Sequence, residues 1–200
     1  MRCLLAVRHT LAAMLAWVML TGMAMAVEEP PYQTLMAEAP FELRRYPGFV
    51  VAETQLDGDF DSASRQGFRR IAGYIFGGNT SGEGESRKIA MTAPVTVQPD
   101  REGWRLHFVM PSQETLETLP KPESAEVSLR QVAAHEVAVV RFSGFTTQAA
   151  IAEQTQRLRQ WMQQKGLQAA EGEPQIARYD DPFTLPWRRR NEILIQLQPR

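Results

Sequence analysis

Cysteine is nearly missing from this sequence. The 200 residues include one, Cys3, which stands before an apolar run at residues 11–20. The lipid-bearing cysteine of a lipoprotein leader follows such a run, so Cys3 does not have that role. No thiol is left beyond residue 26, which excludes disulfides, cysteine metal sites, cysteine nucleophiles and thioether attachment of a cofactor there. We therefore expect core packing alone to stabilise the fold.

The chain also lacks an excess of either charge. It has 22 Lys and Arg against 23 Asp and Glu, and its net charge becomes −3 if Arg2 and Arg8 are removed with a leader. This balance excludes a bulk polyanion binder, so we expect no nucleic-acid partner. Hydrophobic residues at 44% and charged residues at 22% are typical of a globular chain rather than a disordered, collagen-like or coiled-coil one.

The N-terminal residues have the pattern of a secretory signal peptide. Arg2 and Arg8 precede the apolar run, and residues 24–26 (AMA) supply the small-x-small pattern that signal peptidase accepts. The alternative is an uncleaved membrane anchor, but the uncharged stretch at residues 10–27 is barely long enough to span a bilayer. We predict a signal peptide at residues 1–26, cleaved after Ala26. The mature chain would then be periplasmic or secreted and would keep no stable membrane span.

The remaining sequence contains a weak internal repeat. FELR at residues 41–44 recurs as VSLR at 127–130, an offset of 86, while IA at 89–90 and LHF at 106–108 recur with an offset of 87. Three matches in order at nearly constant spacing predict two copies of one supersecondary unit. The two halves are about 27–113 and 114–200.

Each copy is predicted to contain strands, one helix and further strands. In the first, strands at 41–46, 49–55, 89–95 and 104–110 surround a helix that Asp59 or Asp61 caps and that ends at 77–79. In the second, strands at 127–130, 137–142, 176–179 and 192–197 surround a helix at 147–165, which ends at Gly166. Helices separated by several strands favour an α+β fold with a mainly antiparallel sheet.

Five separated motifs resemble the SOUL haem-binding protein family: FELRRY at 41–46, KIAMTAPV at 88–95, FVMPS at 108–112, RFSG at 141–144 and RRNE at 189–192. The resemblance covers residues 27–200 as one domain. It implies a distorted antiparallel β-barrel of two pseudo-repeated halves, flanked by two α-helices. It also implies non-covalent binding of haem or a related tetrapyrrole, for sequestration, buffering or transfer, without an established catalytic activity.

A tetrapyrrole site needs an apolar ledge and cations for the propionates. Arg65, Phe68, Arg69 and Ala72 occupy positions i, i+3, i+4 and i+7 of the first helix. The resemblance implies that Arg65 contacts a propionate and that Phe68 and Ala72 line the macrocycle. Solvated helix arginines are the alternative for Arg65 and Arg69.

The match to the family's basic residues is incomplete. Gly73 and Leu185 stand where some relatives have a basic residue, and Leu185 is kept as a candidate site residue. The arginines at 188–190 follow Leu185 closely and could compensate. The alternative, which we favour, is that Arg189, Arg190 and Asn191 fasten the last strand to its neighbours.

Axial ligands for a haem iron are scarce. Beyond residue 26 there are two histidines, His107 and His135. We expect His107 on the exposed polar side of its strand and His135 in a turn facing water. Met91 and Met110 alternate with core residues and are expected to pack there. We therefore predict a porphyrin site without a strong axial protein ligand and without a separate metal site.

Two rival functions stay open. One is an enzyme acting on a hydrophobic ligand, with Glu42, Glu192 and Tyr179 as acid or base groups. The other is an interaction protein without a ligand. A buried, close Glu–Tyr pair would favour the first rival. The oligomeric state is not predicted.

Overall fold

A computed structural model describes residues 27–101 and 103–199 of the chain. The predicted signal peptide, its cleavage site and Cys3 lie outside the described residues. None of the described helices combines the length and the apolar character that a membrane crossing needs.

The elements alternate along the chain between strands and two long helices. In order they are β1 (Gln33–Glu38), β2 (Phe41–Tyr46), β3 (Phe49–Leu56), α1 (Phe60–Ile75), β4 (Asn79–Thr80), β5 (Val95–Asp100), β6 (Gly103–Val109), β7 (Lys121–Pro122), β8 (Ser128–Val132), β9 (His135–Phe142), α2 (Gln148–Gln164), β10 (Gln175–Arg178), a 3₁₀ turn (Pro186–Arg188) and β11 (Asn191–Gln196).

Nine of the strands form one antiparallel sheet in the order β1-β2-β9-β11-β10-β5-β6-β3-β8, and β4 pairs separately with β7. This confirms the predicted α+β class with its mainly antiparallel sheet and two helices. β1 and β8 are the edges of the hydrogen-bonded order among the described residues, so closure into a barrel stays a prediction.

The strand order has a mirrored arrangement. Counted outwards from the centre, the strands on one side are β5, β6, β3 and β8. Those on the other side correspond to them in order and are β10, β11, β9 and β2. In each series a helix follows the third strand in the chain. A chain built from two copies would produce such an order, because three strands start 86 to 88 residues from their counterparts, and β5 and β10 start 80 residues apart. The repeat itself stays a prediction.

The start and end of α1 follow from its sequence. Of the two predicted caps, Asp59 is the N-cap, and its carboxylate accepts hydrogen bonds from the backbone N–H groups of Asp61 (3.1 Å) and Ser62 (3.0 Å). Gly77 follows the helix with φ of 125°, which only glycine adopts without strain. Gly67 lets α1 lie close to the sheet, since a Cβ there would lie 2.6 Å from Leu56 Cδ1.

The helices cover one face of the sheet. α1 packs on β3 and β6, and α2 packs on β9 and β11. The larger hydrophobic core lies between the helices and the sheet; its fully buried members include Ala52, Ile71, Leu106, Phe108, Leu158 and Ile193. A smaller cluster lies on the opposite face and contains Tyr46, Val137, Val139, Ala177 and Leu194. Both faces of the sheet therefore contain buried residues.

The strand predicted at 89–95 is wrong in extent. β5 begins only at Val95, and the preceding residues are irregular. The Ile89 N–H donates to the Ile75 carbonyl at the end of α1 (2.9 Å) and not to a neighbouring strand. The segment at Ile89 therefore contacts the helix end instead of joining the sheet. Pro94 has no N–H to donate to a ladder. Met110 is buried as expected, but Met91 is exposed, which corrects its expected packing role.

Candidate functional site

Four of the five predicted site residues lie together on α1, on the side turned away from β8. Arg70 marks the β8 side, because its Nη1 donates to the Gln55 carbonyl (2.9 Å) and its guanidinium pairs with Glu126. Arg65, Phe68 and Ala72 lie on the other flank, and Arg69 is at its solvent edge. Phe68 is 40% exposed although it is a large aromatic residue in the middle of a helix.

The cations on this flank are free of carboxylate partners. Arg65 Nη2 donates one long hydrogen bond to Ser62 Oγ (3.4 Å). Within residues 27–101 and 103–199, neither Arg65 nor Arg69 forms a salt bridge. Both side chains are exposed. They are therefore available to an anionic group that reaches this flank.

The sheet provides an apolar floor beside the helix. The ring of Phe68 lies over that of Phe108 in β6, with centroids 5.7 Å apart. Phe108 is paired with Val95 in β5, and Val95 with Arg178 in β10. Directly paired residues of antiparallel strands share a face, so the three form a row two strand spacings, or about 10 Å, wide. We call this row the floor and, together with the α1 flank, the α1 groove; Phe108 lies beneath the surface, whereas Val95 and Arg178 are partly exposed.

Arg178 is a candidate site residue that the sequence analysis missed. It is the last residue of β10 and is partly buried, and its guanidinium carbon lies 5.4 Å from the centre of the Phe60 ring. Burial lowers the pKa of Arg178, the Asp61 carboxylate opposes that effect, and Arg189 adds to it. No motif marks Arg178, because only the pairing of β10 with β5 places it beside α1.

Leu185 is less closely tied to the groove. It is exposed and precedes the 3₁₀ turn, in a loop where Arg189 donates to the carbonyls of Thr184 and Pro182 (2.8 Å each). The charge of Arg189 is near enough to Arg178 to lower its pKa. Among the described residues, Leu185 has no hydrogen bond or ring contact to α1. Its role at the site stays a prediction.

Neither described histidine faces the α1 groove. His107 alternates with Leu106 and Phe108, so it points to the opposite face of the sheet. It is only 7% exposed, which corrects its expected place on the surface, and its Nδ1 has no hydrogen-bond partner. His135 begins β9, where its Nδ1 contacts the Ala133 carbonyl (2.8 Å) and its ring stacks on Tyr46 (5.8 Å).

The groove therefore has donors for carboxylates, and no imidazole of the described residues faces it. Over the described ranges, no group of three or more His, Cys, Asp or Glu side chains is arranged to hold a metal ion. An exposed aromatic ring beside guanidinium groups fits a flat apolar molecule with acidic substituents. The ring face and the propionates of haem have the chemistry that such a surface would hold.

A second cluster of functional-looking residues lies on the opposite face of the sheet. Glu192 in β11 is fully buried and accepts from Arg44 Nη1 (2.7 Å), Arg44 Nη2 (3.0 Å), Arg190 Nε (3.1 Å) and Tyr179 Oη (2.7 Å). Arg44 Nε also donates to Glu42 (2.7 Å). The buried, close Glu–Tyr pair of the enzymatic hypothesis is thus present, with two arginines attached to it.

Those arginines decide what the pair can do. Burial alone would raise the pKa of Glu192, but hydrogen bonds and charge from Arg44 and Arg190 keep it below its usual value. Burial and the Glu192 charge raise the pKa of Tyr179. Both groups are held in their ordinary charge states at neutral pH, and both Glu192 oxygens are occupied. The cluster is a buried network of ion pairs and hydrogen bonds.

The favoured structural role of the last arginines agrees with these contacts. Arg190 Nη1 donates to both Glu29 oxygens (2.9 Å each), and Asn191 Nδ2 donates to the Gly144 carbonyl (3.0 Å). These bonds fasten β11 to the segment before β1 and to the loop after β9. Arg189 binds loop carbonyls, as described above.

Two surface clefts lie away from the α1 groove. One, of about 310 Å³, is lined by residues that include Pro31, Pro47, Phe49 and Met110. The other, of about 500 Å³, lies between α1 and β8, and Glu53, Arg70 and Glu126 make its lining strongly polar. None of the predicted site residues lines either cleft.

The antiparallel sheet and the two helices packed on one face of it place the chain in the α+β class. A family model described as SOUL heme-binding protein matches residues 27–196, so the chain belongs to that family. The chain is 31% identical to Heme-binding protein 2 of Homo sapiens over 186 residues, covering 86% of this chain and 88% of that one. It is 30% identical to Heme-binding protein 2 of Mus musculus over 164 residues, covering 78% of each.

Solved structures share the fold at low sequence identity. A hydrolase from Listeria innocua aligns with a TM-score of 0.59 at 16% identity, covering 82% of this chain and 94% of that one. The EcmrR C-terminal domain aligns with a TM-score of 0.56 at 13% identity, covering 84% and 99%. At such identities the likeness concerns the fold alone.

Proposed function

We propose that this protein binds haem or a related tetrapyrrole non-covalently in the α1 groove. The observation that carries the proposal is the exposed Phe68 ring, which lies over Phe108 and beside Arg65, a cation without a carboxylate partner among the described residues. An exposed apolar surface rimmed by polar groups is typical of a ligand site. Membership of the SOUL family and the names of the two mammalian relatives support the same ligand class.

The roles of the residues follow from their positions. Phe68 and Ala72 offer apolar carbon to the ring face, while Arg65 and Arg69 offer guanidinium donors to propionates. When bound, haem supplies a redox-active iron. The histidines lie elsewhere, so we expect the protein to contribute ring packing and charge rather than an iron ligand. Such a site suits sequestration, buffering or transfer, because a ligand without a protein–iron bond is easily released.

We also propose that the protein works outside the cytoplasm. The basic residues, the apolar run and the small-x-small pattern in residues 1–26 support export and cleavage after Ala26. N-terminal sequencing of the protein purified from its native host tests this proposal. The expected first residue is Val27, and an intact N-terminus would contradict it.

Titration of the mature chain with haemin tests the ligand. We expect a saturable one-to-one change in the Soret band. Arg65→Glu should weaken binding about tenfold or more, because it replaces an attractive charge with a repulsive one. The matched control is Arg159→Glu on the exposed face of α2, which should bind as the wild type does.

Absence of any spectral response to excess haemin would refute the proposed function and favour an interaction protein without a ligand. Equal binding by wild type and Arg65→Glu would remove Arg65 from the site. We propose no catalytic activity for the Glu192 and Tyr179 pair, because arginines hold Glu192 ionised and occupy its oxygens.

A further inference from the structure

Arg178 is a partly buried cation that forms no salt bridge among the described residues. Arg44 and Arg190, which also lie largely inside the fold, each bind a carboxylate. Removing a guanidinium from water without pairing it is costly. At the end of β10 the structure therefore contains a partly buried positive charge whose desolvation is not offset by a carboxylate of the described residues.

The neighbours of Arg178 offset the desolvation cost of its guanidinium only in part. The Phe60 ring supplies a cation–π contact, and Asp61 attracts the guanidinium from a distance beyond that of a salt bridge. Asp61 is itself exposed to solvent. The charge of Arg189 repels the guanidinium. An incoming anion would be favoured by both arginines.

Arg178, the residue with this unpaired charge, lies at the edge of the α1 groove. Asp61, Arg65, Phe68 and Ala72 lie on the same flank of α1, at intervals of four, three and four residues. Arg178 stands at the far end of the floor row that starts under Phe68. The backbone of Arg178 thus ends the floor row, and its guanidinium reaches Phe60 at the start of α1, the helix that carries Arg65.

We propose that Arg178 receives a carboxylate of the bound ligand and makes the site selective for tetrapyrroles with free acidic side chains over their esters. This inference rests on the proposed function and extends it from a ligand class to a chemical requirement on the ligand. A guanidinium donates to a carboxylate in a planar, bidentate manner and gains little from an ester.

The test compares haemin with its dimethyl ester on the wild type and on Arg178→Gln. We expect the wild type to bind haemin about tenfold more tightly than the ester, and Arg178→Gln to lose about tenfold for haemin but little for the ester. Arg178→Lys keeps the charge and should retain part of the preference. Arg159→Gln on α2 is the control for removal of a distant arginine.

The outcomes separate the two proposals. If the wild type binds neither ligand, the proposed function fails and this inference fails with it. If the wild type binds haemin but Arg178→Gln keeps the same preference over the ester, only the inference fails. An equal loss for both ligands would show that Arg178 acts through folding, which also overturns it, and urea unfolding of the same variant would show that loss of stability.

Discussion

Arg44 and Glu192 form a buried, two-pronged ion pair across the sheet, with Nη1–Oε2 at 2.7 Å and Nη2–Oε1 at 3.0 Å. The residues belong to β2 and β11, which both pair with β9 but not with each other. Their side chains therefore span a strand and connect the early and late parts of the chain. Tyr179 and Arg190 complete the hydrogen bonding of Glu192.

Breaking this pair should destabilise the protein strongly. Glu192→Gln removes the fully buried carboxylate and leaves Arg44 with the partly exposed Glu42 as its anionic partner, so we expect the free energy of unfolding to fall by about 3 kcal/mol. Urea denaturation measures the loss. Glu136→Gln, which breaks a pair with the exposed Arg45, is the control and should cost at most about 1 kcal/mol. Similar losses in the two variants would contradict a special role for the buried pair.

Stability should depend on pH through His107. Burial lowers its pKa to about 4, whereas an unfolded histidine titrates near 6.5. Between these values the unfolded state binds more protons, so stability is complete above about pH 6.5 and falls by about 3 kcal/mol as the pH drops towards 4. The charged groups acting on His107 are Glu53, Arg105, Arg130 and His135.

His107→Gln should remove the decline between pH 6.5 and 5, a range above most carboxylate titrations. Urea midpoints measured across this range provide the comparison. His135→Gln is the control and should keep the slope. If both variants lose the slope, or neither does, the assignment to His107 is wrong.

Substituting the histidines should leave the haem spectrum unchanged. His107 and His135 both lie away from the α1 groove, so neither His107→Gln nor His135→Gln is expected to shift the Soret maximum or the haemin affinity by more than about twofold. Phe68→Ser, which removes the exposed ring, should weaken binding instead. A shifted Soret band in either histidine variant would show that the iron binds on the other face of the sheet.

Two glycines of α1 should respond oppositely to alanine. A Cβ at Gly67 would lie 2.6 Å from Leu56 Cδ1 and 3.0 Å from Leu106 Cβ. A Cβ at Gly73 would have no described atom within 4 Å. Gly67→Ala should lower the free energy of unfolding by about 1 kcal/mol or more, since overpacking outweighs the gain in helix propensity. Gly73→Ala should raise it by up to about 1 kcal/mol. Thermal unfolding measures the stability of both variants. A Gly67→Ala protein more stable than Gly73→Ala would contradict the close approach of α1 to the sheet.

Local chemistry was sufficient to predict the helices. Asp59 and Thr147 are N-caps whose oxygens accept backbone hydrogen bonds, and Gly166 follows α2 with φ of 65°. The antiparallel class followed from the order of elements. Residues on α1 could likewise be grouped, because helical spacing alone puts Arg65, Phe68 and Ala72 on one flank.

The positions of His107 and Arg178 depend on distant parts of the chain. Alternation in β6 separates His107 from Leu106, but it cannot show that the second face of the sheet is also buried. Arg178 enters the α1 groove only because β10 pairs with β5, some 80 residues earlier in the chain. Neither residue belongs to a motif whose local pattern carries that information.

The joint between β5 and β10 is short, with three residue pairs, and it lies at the middle of the mirrored strand order. The proposed floor crosses this joint, since Val95 and Arg178 come from its two sides. A ligand bound there would contact both strands and stabilise their pairing. Occupancy should then slow hydrogen–deuterium exchange at β5 and β10 before it affects the outer strands.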